Sequence, residues 1–380
     1  MKKIALFTSI ASHYRKPIWS LLLEHQKHEF HLFFGDNRSS GIKTIDLKSK
    51  IFLKYESRIH KIKNIWYKGK LLFWQRGVLS QCLYGNYDMV VFRGSMYCLS
   101  TWIASIICRV KGINIVYWGH GFYGKEKGIK LLIRILFNSL ANSHLLYGNI
   151  SKDLFIKYGF NSKKIYLIYN SLDYSKHKAI RSNFKELEKS KVFNFMKHPD
   201  LPTVIFIGRL TATKKLDLLI KAIKTINEDE IKINLVFIGD GYEKKPLINM
   251  SAKGISERWI HFLGGIYDES IIGRYIYLSD LCVSPGNVGL TAIHSLSYGT
   301  PVCTHDNVKN QMPEAEAIIN GYNGIFFKEN NVRNLVYNIE YWFSNNTDRE
   351  KVRQNCYEQI DKYYNPNNQL NTINALIENS

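Results

Sequence analysis

Short apolar runs alternate with amphipathic segments along this chain, and the series occurs twice. The runs are rich in Val, Ile and Phe and are continuous, as in strands that are covered on both faces. They are Ile4–Ser9, Glu29–Phe34, Asp88–Phe92, Ile113–Trp118, Leu145–Tyr147 and Ile165–Tyr169, then Val204–Gly208, Asn234–Gly239, Ile260–Leu263, Leu281–Ser284 and Pro301–Thr304. Helical periodicity separates them, for example over 99–110 and 216–226. Strands that alternate with helices predict an α/β protein with two Rossmann-like, doubly wound sheets.

The polar stretch 174–202 separates the two series and ends in His198-Pro199-Asp200-Leu201-Pro202. We therefore predict a first domain over 1–173, a linker over 174–202 and a second domain over 203–350, followed by a helical tail over 351–380. A chain of 380 residues is long enough for two domains, each with its own core. The two sheets are predicted to face each other across a cleft that is lined by the carboxyl ends of their strands, where open α/β sheets bind ligands.

The positive charge of the chain is concentrated in the first predicted domain. Residues 1–173 hold 27 Lys and Arg against 9 Asp and Glu, a net charge of +18 out of +20 for the whole chain. Such a surface suits nucleic acid, an anionic membrane or a phosphorylated acceptor, and the charge alone does not choose among them. Two segments, Arg58–Arg76 and Gly128–Leu140, mix cations with large apolar residues. Each suits a membrane surface or RNA, and equally a basic helix packed by its apolar side chains.

Several features favour a cytoplasmic protein, with peripheral attachment to the inner membrane face as an option. The apolar, uncharged stretch between Arg93 and Arg109 has fifteen residues, whereas a bilayer span needs about 20. The N-terminal apolar run is short and charged residues follow it, which indicates a first strand rather than a signal peptide. Six scattered cysteines without a Cys-x-x-Cys pair argue against a disulfide framework or a zinc site.

Two loops of the second domain carry residues that suit a phosphorylated ligand. Gly208-Arg209-Leu210 ends a predicted strand, and Lys214 follows before the next helix. Arginine binds two oxygens at once and lysine adds a point charge, so this loop suits a diphosphate, although a solvated basic loop has the same spacing. The second loop, Ser284–Leu290, joins a strand to a helix whose amides and dipole favour an anion.

The order of these motifs resembles that of glycosyltransferase family 4, whose members have the GT-B fold. The chain has Gly208-Arg209-Leu210, Lys214, Gly239-Asp240-Gly241, Phe262-Leu263-Gly264, Ser284-Pro285, Gly289-Leu290, Gly299-Thr300-Pro301-Val302, Pro313-Glu314 and Gly321-Tyr322-Asn323-Gly324. The resemblance spans about residues 203–330 and is weaker over 165–173. It implies a retaining, metal-independent, hexosyltransferase-like enzyme. The donor would be a UDP- or GDP-linked sugar, bound as substrate with no cofactor, and the acceptor a glycan, expected to be lipid-linked, in lipopolysaccharide or capsule biosynthesis.

The resemblance also implies roles for individual residues. Arg209 and Lys214, after the turn at Gly208, would hold the diphosphate and neutralise the leaving group. The backbone of Gly286, Asn287, Val288, Gly289 and Leu290 would contact the donor sugar and phosphate, and Gly265 and Ile266 would meet the nucleobase. His120, between two glycines at a strand end, would lie near the transferred sugar, although a lone histidine is more often structural. From their place in the first strand-to-helix loop, His13, Arg15 and Lys16 suit an acceptor phosphate or a solvated loop.

One departure from the family pattern concerns two glutamates that members often carry with seven residues between them. Here those positions hold Gly286 and His294. The helix position normally binds ribose hydroxyls, which a neutral histidine can still do, or His294 packs within the helix. Glu314 and Glu316 are the candidates to replace the missing carboxylate.

Three other functions compete with an active transferase. A nucleotide-sugar 2-epimerase has a similar two-domain fold but needs acids and bases that the sequence does not reveal. The missing glutamates also permit an inactive, glycan- or lipid-binding relative. A nucleic-acid-binding role depends on charge alone and is the weakest, because no recognised motif accompanies it.

Overall fold

The apolar runs form the strands of two parallel sheets. The computed structural model describes residues 1–36, 42–67 and 71–380. These residues divide into two units, the first made of Met1–Asp173 with Pro366–Ser380 and the second of Tyr174–Asn365.

The strands and helices are as follows, in chain order. The strands of the first unit are β1 (Lys3–Thr8), β2 (Glu29–Phe34), β3 (Ile59–Lys61), β4 (Asn64–Tyr67), β5 (Leu72–Gln75), β6 (Met89–Arg93), β7 (Asn114–Gly119), β8 (Ser143–Leu146) and β9 (Ile165–Leu167). Those of the second are β10 (Thr203–Ile207), β11 (Asn234–Ile238), β12 (Ile260–Phe262), β13 (Leu281–Ser284), β14 (Val302–His305) and β15 (Gly324–Phe327). The helices are α1 (Lys16–Leu23), α2 (Lys50–Lys54), α3 (Val78–Tyr84), α4 (Leu99–Val110), α5 (Gly128–Ser139), α6 (Asn149–Lys157), α7 (Tyr174–Ser182), α8 (Lys189–Val192), α9 (Leu216–Ile226), α10 (Lys244–Met250), α11 (Ala252–Ser256), α12 (Glu269–Leu278), α13 (Leu290–Ser297), α14 (Val332–Asn345), α15 (Arg349–Lys362) and α16 (Pro366–Glu378).

The first unit is built on a parallel sheet with the order β3-β2-β1-β6-β7-β8-β9 among the described residues. Its first strand shows why the sequence runs are continuously apolar. Ile4 and Leu6 of β1 belong to one core with α1 and α16, and Ala5 and Phe7 belong to another with α4 and α5. Both faces of the sheet are therefore buried, so the strand has no polar face.

Helix α16 belongs to the first unit although it lies at the end of the chain. Its side chains Ile373, Leu376 and Ile377 are buried in the core beside β1. The Gln369 side chain donates to the Tyr169 carbonyl at 2.9 Å and accepts from the Ser171 hydroxyl at 2.7 Å. The segment predicted as one tail, 351–380, thus contributes α15 mainly to the second unit and α16 to the first.

The second unit has a parallel sheet with the order β12-β11-β10-β13-β14-β15. Every residue of β10 and β11 is buried, and so is the apolar stripe of α9. The segment predicted as a linker, 174–202, holds α7 and α8. Arg181 of α7 is paired with Asp361 at 3.0 Å, and Lys189 of α8 is paired with Asp280 at 2.7 Å, so this segment is packed on the unit.

The segment Arg58–Arg76 is not a basic helix. It contains β3 and the antiparallel hairpin β4–β5, in which the rings of Trp66 and Phe73 stack 4.6 Å apart. The spacing of these aromatic residues in the sequence reflects their packing across two paired strands and not the periodicity of a helix. Lys68 and Lys70 lie outside the described residues. Within the described part of the chain, no helix is long and apolar enough to cross a bilayer.

Candidate functional site

The candidate site of the second unit lies where the strand order reverses. The chain leaves β10 toward β11 on one side and returns to β13 on the other. The loops after β10 and β13 therefore start side by side at the carboxyl edge of the sheet, which is where open α/β sheets bind ligands. These two loops hold the predicted donor-binding residues.

Glycines allow the loop after β10 to run against its neighbour. Gly208 and Gly239 have φ angles of 142° and 145°, which other residues rarely adopt. A Cβ atom on Gly239 would lie 1.8 Å from the Gly208 carbonyl oxygen. The loops after β10 and β11 are thus in backbone contact, and the turn predicted at Gly208 is present.

Lys214 joins the loop after β10 to the loop after β13. Its ammonium group donates to the Asn287 carbonyl at 2.5 Å and to the Asn287 side-chain oxygen at 3.0 Å. Its own carbonyl accepts from the Gly286 amide at 2.9 Å. The predicted diphosphate lysine and the predicted glycine loop are therefore brought together by three hydrogen bonds.

Gly286 occupies a position that no larger residue fits. A Cβ atom there would lie 2.0 Å from the Thr213 carbonyl oxygen and 2.7 Å from the Lys214 Cα atom. The glutamate that family members often carry at this position would therefore displace the loop that holds Lys214. The close packing of the two loops therefore requires glycine, and not glutamate, at position 286.

The charge of Lys214 depends on its surroundings. Burial, then the charge of Arg209, lowers the pKa of Lys214 to about 8, and the carboxylate of Glu314 partly opposes this shift. Arg209 is exposed and makes no ion pair within the described residues. The site thus holds two cations in proximity, with the lysine poised to gain from an anionic ligand.

The remaining predicted donor contacts surround these cations. Val288 is buried, and its amide donates to the Gln311 side chain at 2.8 Å. Gly289 precedes α13, which begins at Leu290. Of the two carboxylates proposed as replacements, Glu314 is buried and Glu316 is partly buried. The effect of Glu314 on the Lys214 pKa places it near the cations.

His294 is held by a residue that the sequence analysis did not identify. Its Nε2 atom donates to Glu269 Oε1 at 2.7 Å, and the Tyr298 hydroxyl donates to the same oxygen at 2.9 Å. Burial is the largest single effect and raises the Glu269 pKa, but the hydrogen bonds from His294 and Tyr298 and the electrostatic effects of His294 and His177 together lower it to about 2. Glu269 is thus an ionised carboxylate beside His294, the helix position at which family members often carry a glutamate. Gly265 and Ile266 lie in the loop that leads to it.

A third side chain completes this cluster. His177 Nε2 lies 3.3 Å from Glu269 Oε1, and the rings of His177 and His294 stack 5.3 Å apart. Burial, then the neighbouring His294, lowers the His177 pKa to about 3, so this imidazole is neutral at physiological pH. One ligand atom from each of the three residues lies within 4.8 Å of the others. Two imidazoles and a carboxylate are the kind of set that binds a divalent cation such as zinc.

In the first unit, the structure brings Arg15 and His120 to one tyrosine. Arg15 donates to the hydroxyl of Tyr147 and, at 2.9 Å, to Asn170. The ring of Tyr147 lies 4.9 Å from that of His120. His120 Nδ1 is buried and has no hydrogen-bond partner within the described residues. Burial, then the charge of Arg93 and weaker effects of Arg15, lowers the His120 pKa to about 4. His120 is therefore a neutral imidazole beside cations.

The other two predicted acceptor residues are more peripheral. His13 is exposed, and its Nδ1 atom lies 3.2 Å from the Lys43 carbonyl. Lys16 is exposed at the start of α1. Sequence analysis did not identify Tyr147, Arg93 or Glu269, because none of them belongs to a motif. Each reaches its site only through packing between elements that are distant in sequence.

The family comparison agrees with this geometry. Residues 188–359 match the family model described as "Glycosyl transferases group 1". Over these residues the chain is similar to the group 1 glycosyl transferases. The match lies within the second unit and includes Arg209, Lys214, Gly286 and His294. The resemblance that was read from the motif order is therefore confirmed.

Relatives of the group 1 domain extend the similarity into the first unit. The chain is 26% identical over 288 residues to the "Uncharacterized glycosyltransferase MJ1178" of Methanocaldococcus jannaschii, covering 72% of this chain and 78% of that protein. It is 21% identical over 323 residues to the "Uncharacterized 41.2 kDa protein in cps region" of Klebsiella pneumoniae, covering 76% and 82%.

A solved structure supports the fold over the full length. The structure of Anabaena Alr3699/HepE in complex with UDP matches all of this chain and all of that chain, with a TM-score of 0.71 and 15% identity. The predicted GT-B fold is therefore confirmed.

Proposed function

We propose that this protein transfers a sugar from a nucleotide-sugar donor to a glycan acceptor, with retention of configuration at the transferred carbon. The observation that carries the proposal is the joining of two loops by Lys214, Asn287 and Gly286 at the strand switch point, beside the exposed Arg209. A diphosphate is the ligand class that two clustered cations and a helix start favour. The UDP complex of the structurally similar HepE supports a uridine or related donor.

In this proposal, the second unit promotes departure of the nucleoside diphosphate. The bond between the anomeric carbon and the diphosphate oxygen breaks, and negative charge grows on that oxygen. An acceptor hydroxyl oxygen forms the new bond to the anomeric carbon, and its proton passes to the departing diphosphate. Lys214 and Arg209 stabilise the growing charge, the role a metal ion has in other transferases. We therefore expect turnover without added divalent cations.

The first unit would supply the acceptor side of the reaction. His120 is neutral and has a buried ring nitrogen without an internal partner, which suits a hydrogen bond to a sugar hydroxyl. Arg15, fixed by Tyr147 and Asn170, would meet an acceptor phosphate. A phosphate next to a glycan is the chemistry of a lipid-linked acceptor. The similar protein from a capsule region supports a role in surface polysaccharide synthesis at the cytoplasmic membrane face.

The test is acceptor-dependent release of nucleoside diphosphate. Thermal shift with nucleoside diphosphates and nucleotide sugars first identifies the donor, because a ligand of the native state raises its stability. That donor is then incubated with and without lipid-linked glycan acceptors. We expect diphosphate release only when an acceptor is present. Release without acceptor, accompanied by an epimerised sugar, would favour the 2-epimerase, and binding without turnover would favour an inactive relative.

His294 and Glu269 yield a prediction about the donor ribose. If Glu269 fixes the His294 tautomer, Nδ1 is left as an acceptor for a ribose hydroxyl. His294→Ala should weaken nucleoside diphosphate binding by about 0.5–1.5 kcal/mol, the net value of one hydrogen bond. Glu269→Gln should weaken it as well, and the double variant should lose less than the two single losses combined. Calorimetric titration measures all three. Wild-type affinity in His294→Ala would contradict the ribose role.

A further inference from the structure

The outer faces of α4 and α5 are aliphatic, although no described residue covers them. On α5, Ile129, Leu132, Ile133 and Leu136 follow the spacing of a single helix face. On α4, Leu99, Ile103, Ile106 and Val110 do the same. All eight side chains are exposed, between 37% for Leu99 and 84% for Val110. We call these eight residues the aliphatic face. Exposed apolar patches of this kind mark binding surfaces.

The inner faces of the same two helices are unusually polar. Helix α5 buries Arg134 and Asn138, and Arg134 pairs with Glu126 at 3.1 Å and donates to the Gly121 carbonyl at 2.7 Å. Helix α4 buries Ser100, Thr101 and Ser105. A surface helix of a water-soluble protein normally places its apolar side inward. Much of the apolar surface of α4 and α5 therefore faces outward, as it does in helices that lie in a membrane interface.

The two helices form one continuous surface. The rings of Trp102 and Phe137 lie 5.0 Å apart, and the Arg109 side chain donates to the Leu140 carbonyl at 2.9 Å. Ala104 and Cys108 of α4 share a core with Phe137 of α5, so the helices cover the same face of the sheet. The aliphatic face is thus a single surface formed by two neighbouring helices.

The surroundings of the aliphatic face are basic. Residues 99–140 contain one acidic residue, Glu126, and it is buried in the pair with Arg134. Lys125, Lys127 and Lys130 are exposed around the start of α5. Tyr123, which precedes them, is 46% exposed. Lysines beside an apolar surface place charge where lipid phosphates lie, and an exposed tyrosine suits the boundary between headgroups and acyl chains.

We propose that the aliphatic face docks this protein onto an anionic lipid bilayer. The side chains of α4 and α5 enter the acyl boundary while Lys125, Lys127 and Lys130 contact lipid phosphates. A second copy of the chain is a poorer occupant, because a symmetric contact would bring these lysines near the same lysines of the partner. This docking proposal extends the proposed function. It depends on that function only for the assumption that the acceptor is lipid-linked.

Flotation of the full chain with vesicles tests the docking surface. We expect binding to vesicles of phosphatidylcholine with phosphatidylglycerol at low salt, and weaker binding to phosphatidylcholine alone. Leu132→Gln/Leu136→Gln should lower partitioning at least about tenfold, because two large aliphatic side chains no longer leave water. Lys125→Gln/Lys127→Gln/Lys130→Gln should remove most of the difference between the two vesicle types and most of the salt dependence.

Leu53→Gln is the matched control, because Leu53 is 54% exposed on α2, whose Phe52 lies in the core on the opposite side of the sheet. It should bind vesicles like the wild type. The aliphatic-face variant should keep its nucleoside diphosphate affinity and lose transfer to vesicle-embedded acceptor, which separates failure of docking from failure of the donor site. Wild-type chain that ignores anionic vesicles, or a variant that binds them normally, would overturn the proposal. So would a dimer that becomes monomeric in the variant, since a second copy would then cover the face.

Discussion

Arg209→Ala and Lys214→Ala will each lower turnover by about 10²–10³-fold, the cost of removing one group that stabilises charge in a transition state. The two cations face charge that develops as the diphosphate leaves, so turnover should fall further than donor affinity. Lys214→Ala also removes both hydrogen bonds to Asn287 and so tests the joined loops together with the charge. Initial rates and nucleoside diphosphate titration distinguish the two effects.

The neighbouring cation provides the control. Lys215 pairs with Glu329 at 2.8 Å and with Asn330 at 2.7 Å, so its charge is already compensated. Lys215→Ala should therefore leave turnover within about threefold of wild type, since compensated surface pairs contribute little. Equal losses in Lys214→Ala and Lys215→Ala would mean that general positive charge, and not a specific clamp, supports the reaction.

The pH dependence of binding adds a second measure for Lys214. With a pKa of about 8, this lysine is protonated below that pH, where affinity for the diphosphate should be constant. A bound anion raises the lysine pKa, so above about pH 8 binding takes up a proton and affinity should fall by up to about tenfold per pH unit. Arginine stays charged in this range, so Lys214→Arg should flatten the profile.

The sequence was sufficient to predict the sheets and the loops that carry the cations. The predicted helix 216–226 and strand 281–284 have the same bounds in the structure. Buried parallel strands have a distinctive composition, and their carboxyl ends determine which loops meet. The edge strands β3 and β15 were not predicted.

The partner of His294 could not be predicted for a different reason. Glu269 lies 25 residues away in the chain, at the start of a different helix. Its contact with His294 depends on how α12 and α13 pack, which periodicity does not specify. The position of α16 has the same cause: the break at Asn365-Pro366 indicates a bend but does not indicate which unit the helix joins.

The orientation of α5 was also beyond the sequence. An aliphatic stripe at helical spacing normally predicts the buried side of a helix. Here Arg134 is buried with Glu126, and Leu132 and Leu136 are exposed. Because Arg134 pairs with Glu126 on the buried side of α5, the aliphatic side of this helix is exposed.

Gly286→Ala tests whether the loop geometry, more than any single charge, determines donor binding. The added Cβ atom would lie 2.0 Å from the Thr213 carbonyl oxygen, far inside van der Waals contact, so the backbone before Lys214 must move. A shift of about 1 Å at a catalytic group can cost about 100-fold in rate, and we expect a loss of that size. Gly286→Glu, which restores the residue that family members often carry, should be at least as damaging here.

Gly289→Ala provides the comparison within the same loop. Its Cβ atom would meet nothing nearer than the Met312 side chain at 3.9 Å, so the substitution leaves the contact between Gly286 and Lys214 in place. This variant should keep most of its donor affinity. Donor titration and initial rates for both variants complete the test. If Gly286→Ala turns over donor as fast as Gly289→Ala, the contact between Gly286 and Lys214 does not position the lysine, and the joined loops cannot be what fixes the diphosphate site.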